Sequence, residues 1–150
     1  MASNGMMAGM QGVFLVAAEL SRRGFIVSTT SRNALGADLL VTDQGCQKAW
    51  SVQVKTNNRR ANFWLTGKKA MTLHSPSHIY VFVNLHKTKP PQYLVVPSED
   101  VAKRTRVSTS KTGSEWYEFS HSFPVDGSAD SHGWDVFGEP SPLPAEVVSP

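Results

Sequence analysis

Met10, Val13, Val16, Ala17 and Leu20 recur with the period of a helix face, and Arg22-Arg23 before Gly24 supply a basic last turn and a stop. This spacing predicts a helix over residues 6–23. Phe14, Leu15 and Ala18 widen its apolar surface beyond one stripe, so the helix is packed on two faces or used in self-association. Beyond Gly24 the pattern breaks into short runs rich in Val, Ile, Leu and aromatic residues, which read as strands over 25–30, 38–42, 49–56, 78–85 and 93–96. Phe63, Leu65, Ala70 and Leu73 partly line one side of a predicted helix over 62–73. Ser98-Glu99-Asp100 opens a short helix reaching Arg106, acidic in its first turn and basic in its last. A polar turn over 108–114 and a final strand over 116–119 follow. Residues 141–150 carry Pro142, Pro144 and Pro150 without any period and are read as irregular. The order α-β-β-β-α-β-β-α describes an α/β chain.

With 150 residues, 40% of them hydrophobic, the chain is long enough for one domain around a single core. Charge divides it. Residues 1–111 hold all fifteen Lys and Arg against five Asp and Glu, a body of +10, while 112–150 hold seven acidic residues and no basic one. A basic body attracts a polyanion such as nucleic acid; the alternative is a solvated surface neutralised by its own tail. The lone Cys46 cannot form an internal disulfide, which suits a reducing compartment. The apolar segment 13–20 is short and interrupted by Glu19, so neither a signal peptide nor a membrane span is expected, and the chain is read as cytoplasmic.

Chemistry concentrates between residues 36 and 55. Along the strand 49–56, Ser51, Gln53 and Lys55 share one face while Trp50, Val52 and Val54 take the other. Asp38 opens the neighbouring strand across the turn at Asp43-Gln44-Gly45. A carboxylate, an amide and an ammonium brought together at a sheet are costly unless they bind one another or a ligand, and the reason favoured by these residue types is a divalent cation poised for phosphodiester chemistry. Simpler roles stay open. Glu19 can pair with Arg22 or Arg23 one turn on, Asp38 can be a turn acceptor, and Lys55 can cover a strand end with its head in water.

A helix bearing Glu19, Asp38 at a strand start and Gln53-Val54-Lys55 within the next strand resembles the PD-(D/E)xK nuclease superfamily, which includes restriction endonucleases and Holliday-junction resolvases. The resemblance spans roughly residues 8–97. It implies a restriction-endonuclease-like core over 1–111, a central mixed β-sheet flanked by helices, with 112–150 as an irregular acidic, Pro-containing extension packed on or trailing from it. It also implies Mg²⁺ or Mn²⁺ held by Asp38, Glu19, Gln53 and the Val54 backbone carbonyl, with Lys55 as the catalytic lysine. Ala37 stands where the motif has proline, and Gln53 where it has an acidic residue. Arg32, Asn57, Asn58, Arg59, Arg60, Lys68 and Lys69 are the candidate contacts to DNA, structured or RNA-containing forms included, and a homodimer would serve to cut both strands. The alternative is a decayed nuclease-fold module that binds nucleic acid or a protein partner without cleavage. No phosphate-binding loop, serine-hydrolase elbow or structural zinc pattern is present in the sequence.

Overall fold

The structure, a computed structural model, describes residues 3–31 and 36–140. Helix α1 (Asn4–Arg22) starts where Ser3 Oγ accepts the Met6 N–H, and it ends before Gly24, whose positive φ of 95° turns the chain into the first strand. Ala8, Gly12, Val16 and Leu20 recur every four residues and form its buried face.

That face covers a six-stranded mixed sheet. Its strands are β1 (Ile26–Thr29), β2 (Leu39–Thr42), β3 (Ala49–Asn57), β5 (His78–Asn84), β6 (Gln92–Pro97) and β9 (Ser131–His132), in the order β1-β2-β3-β5-β6-β9. β1, β2 and β3 form an antiparallel meander, β5 runs parallel to β3, and β6 pairs antiparallel with β5. All seven residues of β5 are buried, as expected of a strand covered on both faces. On the opposite side lies a three-stranded antiparallel sheet of β4 (Phe63–Thr66), β8 (Glu115–Ser120) and β7 (Arg106–Thr109), together with helix α2 (Ser98–Arg104). Two cores result. Val16, Leu20, Leu39, Val41, Val52, Val54, Val81, Trp134 and Phe137 fill the α1 side, and Trp64, Tyr80, Phe82, Leu94, Val101 and Phe119 fill the other.

The expected central mixed sheet with flanking helices is present. One element differs: residues 62–73 form β4 and a single 3₁₀ turn over Lys68–Met71 rather than a helix. The cause is a period of two, in which Trp64 enters the core and donates its Nε1–H to the Val83 carbonyl while Phe63 and Leu65 face solvent. β7 occupies part of the expected polar turn, pairing with the strand anticipated over 116–119. The stretch 141–150, expected to be irregular, lies outside the described residues. Phe119, Trp134 and Phe137 carry the acidic part of the chain into the two cores.

Candidate functional site

β2 is shorter than β3, and the site lies at the rung where β2 has not yet begun. Leu39 pairs with Val52, and the Asp38 N–H donates to the Val52 carbonyl at 2.8 Å. Val54 points its N–H to the same side, past the start of β2, where no backbone carbonyl of the described residues meets it. Asp38 Oδ2 takes that N–H at 2.8 Å and accepts from Gln53 Nε2 at 2.9 Å. Behind the carboxylate the loop is braced: Thr30 Oγ1 donates to the Ala37 carbonyl at 2.7 Å, and the Thr30 N–H donates to the Asp38 carbonyl at 3.0 Å. Gly36, with a φ of 84°, makes the turn that a side chain would strain.

Gln53 and Lys55 lie beside Tyr80 and Phe82 of β5, on the face opposite α1. Lys55 is partly buried, and that burial lowers the pKa of its ammonium while the Asp38 charge pulls it back up. No Lys55 ion pair forms among the described residues, so its charge is held near Asp38 without being spent on it. One step along the same face, Ser51 Oγ lies 2.7 Å from His78 Nδ1. His78 Nε2 is buried without a hydrogen-bond partner among the described residues, and desolvation pushes this imidazole toward its neutral form.

The donor set suits a hard cation in kind. Asp38 Oδ1 accepts no hydrogen bond from the described residues, and the Val54 carbonyl points to the same open edge as its N–H. Gln53 Oε1 would join them on rotation of its amide, which now turns its Nε2 to Asp38. Mg²⁺ is commonly held by one or two carboxylates with retained waters and substrate phosphate oxygens, so these residues fit it. In charge the set is sparse, since no three His, Cys, Asp or Glu side chains converge among the described residues.

Asp38, Gln53, Val54 and Lys55 are therefore brought together, and Glu19 is not. Its carboxylate bonds Arg22 and Arg23, which hold its pKa down, and its charge is felt by Tyr93 of β6. β6 is three inter-strand steps from β2, roughly 14 Å at ~4.8 Å per step. The α1 residues that line the cavity beside Asp38 are instead Met6, Met7, Gly9, Met10, Val13 and Phe14, without a carboxylate among them.

The candidate nucleic-acid contacts divide as well. Asn58, Arg59, Lys68 and Lys69 are exposed, and none of the last three forms an ion pair among the described residues. Arg60 is committed to the fold: it donates to Asp130 and to the Pro90 carbonyl, both at 3.3 Å. Asp130 accepts from Gln92, Gln92 accepts from Asn84, and Asn84 accepts from Asn57, closing a polar chain from β9's approach to the end of β3. Arg32 lies outside the described residues.

Sequence reasoning missed the Ser51–His78 pair, whose only signal was that a serine sits on the Gln53 face with a histidine opening the next buried strand. It also missed the cavity of about 630 Å³ that Thr29, Thr30, Ser31 and Asp38 form with the Met-rich side of α1. The run of four methionines within ten residues of the start was its trace.

The chain is similar in structure to the bacterial homing endonuclease I-Ssp6803I, with a TM-score of 0.49 at 12% identity over 83% of this chain and 80% of that one. It is also similar to Archaeoglobus fulgidus Hjc, a Holliday junction resolvase from an archaeal hyperthermophile, with a TM-score of 0.39 at 8% identity over 71% and 86%. No family model and no curated protein matches the sequence.

Proposed function

We propose that this chain is a metal-dependent nuclease that hydrolyses phosphodiester bonds in DNA. The observation that supports it is the meeting of Asp38, Gln53 and Lys55 at the open rung beyond β2. A bound Mg²⁺ or Mn²⁺ would polarise the scissile phosphate and make a water more acidic. Asp38 Oδ1, the Val54 carbonyl and the Gln53 amide oxygen are the groups to hold it. Lys55 places an ammonium, unspent on any ion pair among the described residues, where it can orient a water and offset charge building on the phosphate oxygens. Asn58, Arg59, Lys68 and Lys69 present exposed donors for backbone phosphates on the flanks.

A second reading, binding without cleavage, is favoured by one observation: among the described residues a single carboxylate serves the site. The experiment that separates them is incubation of labelled duplex and branched DNA with Mg²⁺ and with Mn²⁺, using wild type, Asp38→Asn and Lys55→Ala. Metal-dependent cutting by wild type, absent from both variants, is the expected result. Retention of DNA with no cutting under either metal rejects the enzyme and leaves the binding module.

A further inference from the structure

An antiparallel sheet with one face on a core ordinarily turns polar side chains to water on the other, and the three-stranded sheet does not. Strand register fixes which residues share its outer face: Phe63 pairs with Ser120, Leu65 with Glu118, Glu118 in turn with Arg106, and Trp116 with Ser108. Trp64 and Phe119, paired on the alternate rung and buried in the second core, take the inner face. On the outer face Phe63, Leu65 and Trp116 are 43%, 59% and 43% exposed. Large apolar side chains gathered on one exposed face mark an interaction site.

Ring spacing and charge specify the occupant. The Phe63 rung lies at Ser120 and Trp116 lies further back along β8, so the two rings stand roughly 14 Å apart at ~3.4 Å per residue, with Leu65 between them. Rings set in file along one face suit the bases of an extended strand. A base offers its flat side to a ring only after leaving the duplex stack, so this face selects an unpaired strand. At the Phe63 end the face runs into a cavity of about 430 Å³ lined by Lys103, Arg104, Thr105, Arg106 and Ser120. Lys103, Arg104 and Arg106 are exposed, and none forms an ion pair among the described residues. The Arg104 guanidinium lies 4.4 Å from the centre of the Phe119 ring and donates to the Ser120 carbonyl at 3.1 Å, which fixes it while using one N–H of its fork. Beside it is His121, whose N–H bonds the Asn62 carbonyl; burial lowers its pKa, and the charges of Arg104 and His132 lower it further. A concave corner of this sign takes a phosphate. Glu118, across from Arg106, disfavours a phosphate at mid-face and leaves that corner as the anchor.

We propose that the outer face of the three-stranded sheet binds an unpaired nucleic-acid strand, with bases stacked on Phe63 and Trp116 and a backbone phosphate in the cavity at Lys103, Arg104 and Arg106. The site is separate from the Asp38 centre yet tied to the strand that carries it: Asn57, at the end of β3, donates to the Phe63 carbonyl at 2.8 Å. Strand binding stands without the nuclease reading; that the bound strand belongs to the substrate rests on it.

Fluorescence anisotropy of a labelled single-stranded oligothymidylate and of a duplex of equal length, titrated with the full chain in EDTA at several salt concentrations, tests it. Wild type binds the strand about tenfold or more tighter than the duplex. Phe63→Ala and Trp116→Ala each weaken strand binding by about tenfold, while Trp116→Phe, which keeps a ring, retains most of it. The double variant Lys103→Gln/Arg106→Gln lowers the slope of log K against log salt by about 1–2. Val107→Ala, at an exposed apolar position that pairs with Tyr117 and so belongs to the other face, changes nothing. Thermal unfolding verifies that each variant is folded, and the comparison of strand with duplex stands on wild type alone. Equal affinity for strand and duplex overturns the proposal, as do folded Phe63→Ala and Trp116→Ala variants that bind the strand like wild type, or a loss in Val107→Ala. A wild type that binds no oligonucleotide and instead self-associates in a way that Trp116→Ala abolishes overturns it in favour of a second copy on this face. Strand binding without cutting under Mg²⁺ or Mn²⁺ leaves it standing and removes the nuclease; cutting without a preference for the strand does the reverse.

Discussion

Asp38 Oδ2 sits 2.8 Å from the Val54 N–H, in the place where one more rung of β2 would put a backbone carbonyl. A carboxylate thus substitutes for a strand residue, and its second oxygen accepts no hydrogen bond from the described residues.

Asp38 therefore has a structural role separable from its chemical one. Asp38→Ala leaves the Val54 N–H unpaired next to a buried side chain and is expected to cost about 1–3 kcal/mol, whereas Asp38→Asn keeps an acceptor and costs less. Chemical denaturation measures the difference. On the nuclease reading both variants lose metal-dependent activity, since each removes the site's one carboxylate among the described residues.

Gln53→Glu would put a second carboxylate where the amide now lies 2.9 Å from Asp38 Oδ2. Without metal, like charges so close raise one carboxyl pKa and lower stability. Mg²⁺ or Mn²⁺ should reverse the loss, by about 2.7 kcal/mol at a hundred times Kd. Melting curves with and without metal test this; a variant with no metal-dependent shift rejects a cation site here.

Burial lowers the Lys55 pKa, so its ammonium is lost at a lower pH than that of an ordinary lysine. Activity that needs the ammonium should fall as pH rises through that lowered value. Stability moves the other way: the unfolded chain holds this proton more tightly, so stability rises with pH between the folded and unfolded pKa values. Asp38→Asn removes the charge that pulls the pKa up and lowers it further, a shift that side-chain NMR of Lys55 reads directly.

Gly12 is the contact on which α1 rests. A Cβ there would stand 1.9 Å from Thr56 Oγ1, at the end of β3. Gly12→Ala would gain about 1 kcal/mol in an isolated helix, yet here it should destabilise the protein by ~1–3 kcal/mol through overpacking. Urea unfolding of the variant gives the sign.

Arg60→Ala should lower stability, because Arg60 anchors Asp130 and through it the Gln92, Asn84 and Asn57 chain. Arg59→Ala, at an exposed position, should leave stability unchanged and weaken DNA retention. Titrating both variants with duplex DNA at two salt concentrations separates the roles; a folded Arg60→Ala that loses more affinity than Arg59→Ala contradicts the assignment.

What could be read in advance depended on sequence distance. Alternation along β3 placed Gln53 and Lys55 on one face, and a tight turn brought Asp38 to them, because both relations are local. Glu19 was different: its place is set by how α1 lies across the sheet, and the Gly12–Thr56 contact that fixes this is invisible without the fold. β4 was obscured because Phe63 and Leu65, which suggested a helix stripe, are its solvent-facing residues, while only Trp64 enters the core. β7 offered a single valine in a polar stretch, too little for a strand signal.

The polar chain running from Asn57 to Asp130 has a consequence for how the protein is made. β3 leaves the ribosome early, but the residues that steady its end, Gln92 and Asp130, and the β8 strand that completes the second sheet, arrive much later. The rung at Asp38 and Val54 can close as soon as the first hairpin forms, whereas the loop bearing Asn58 and Arg59 is pinned only once synthesis has passed the acidic segment. A nascent chain would thus close the Asp38–Val54 rung well before the polar chain that fixes the end of β3 and the loop after it is complete.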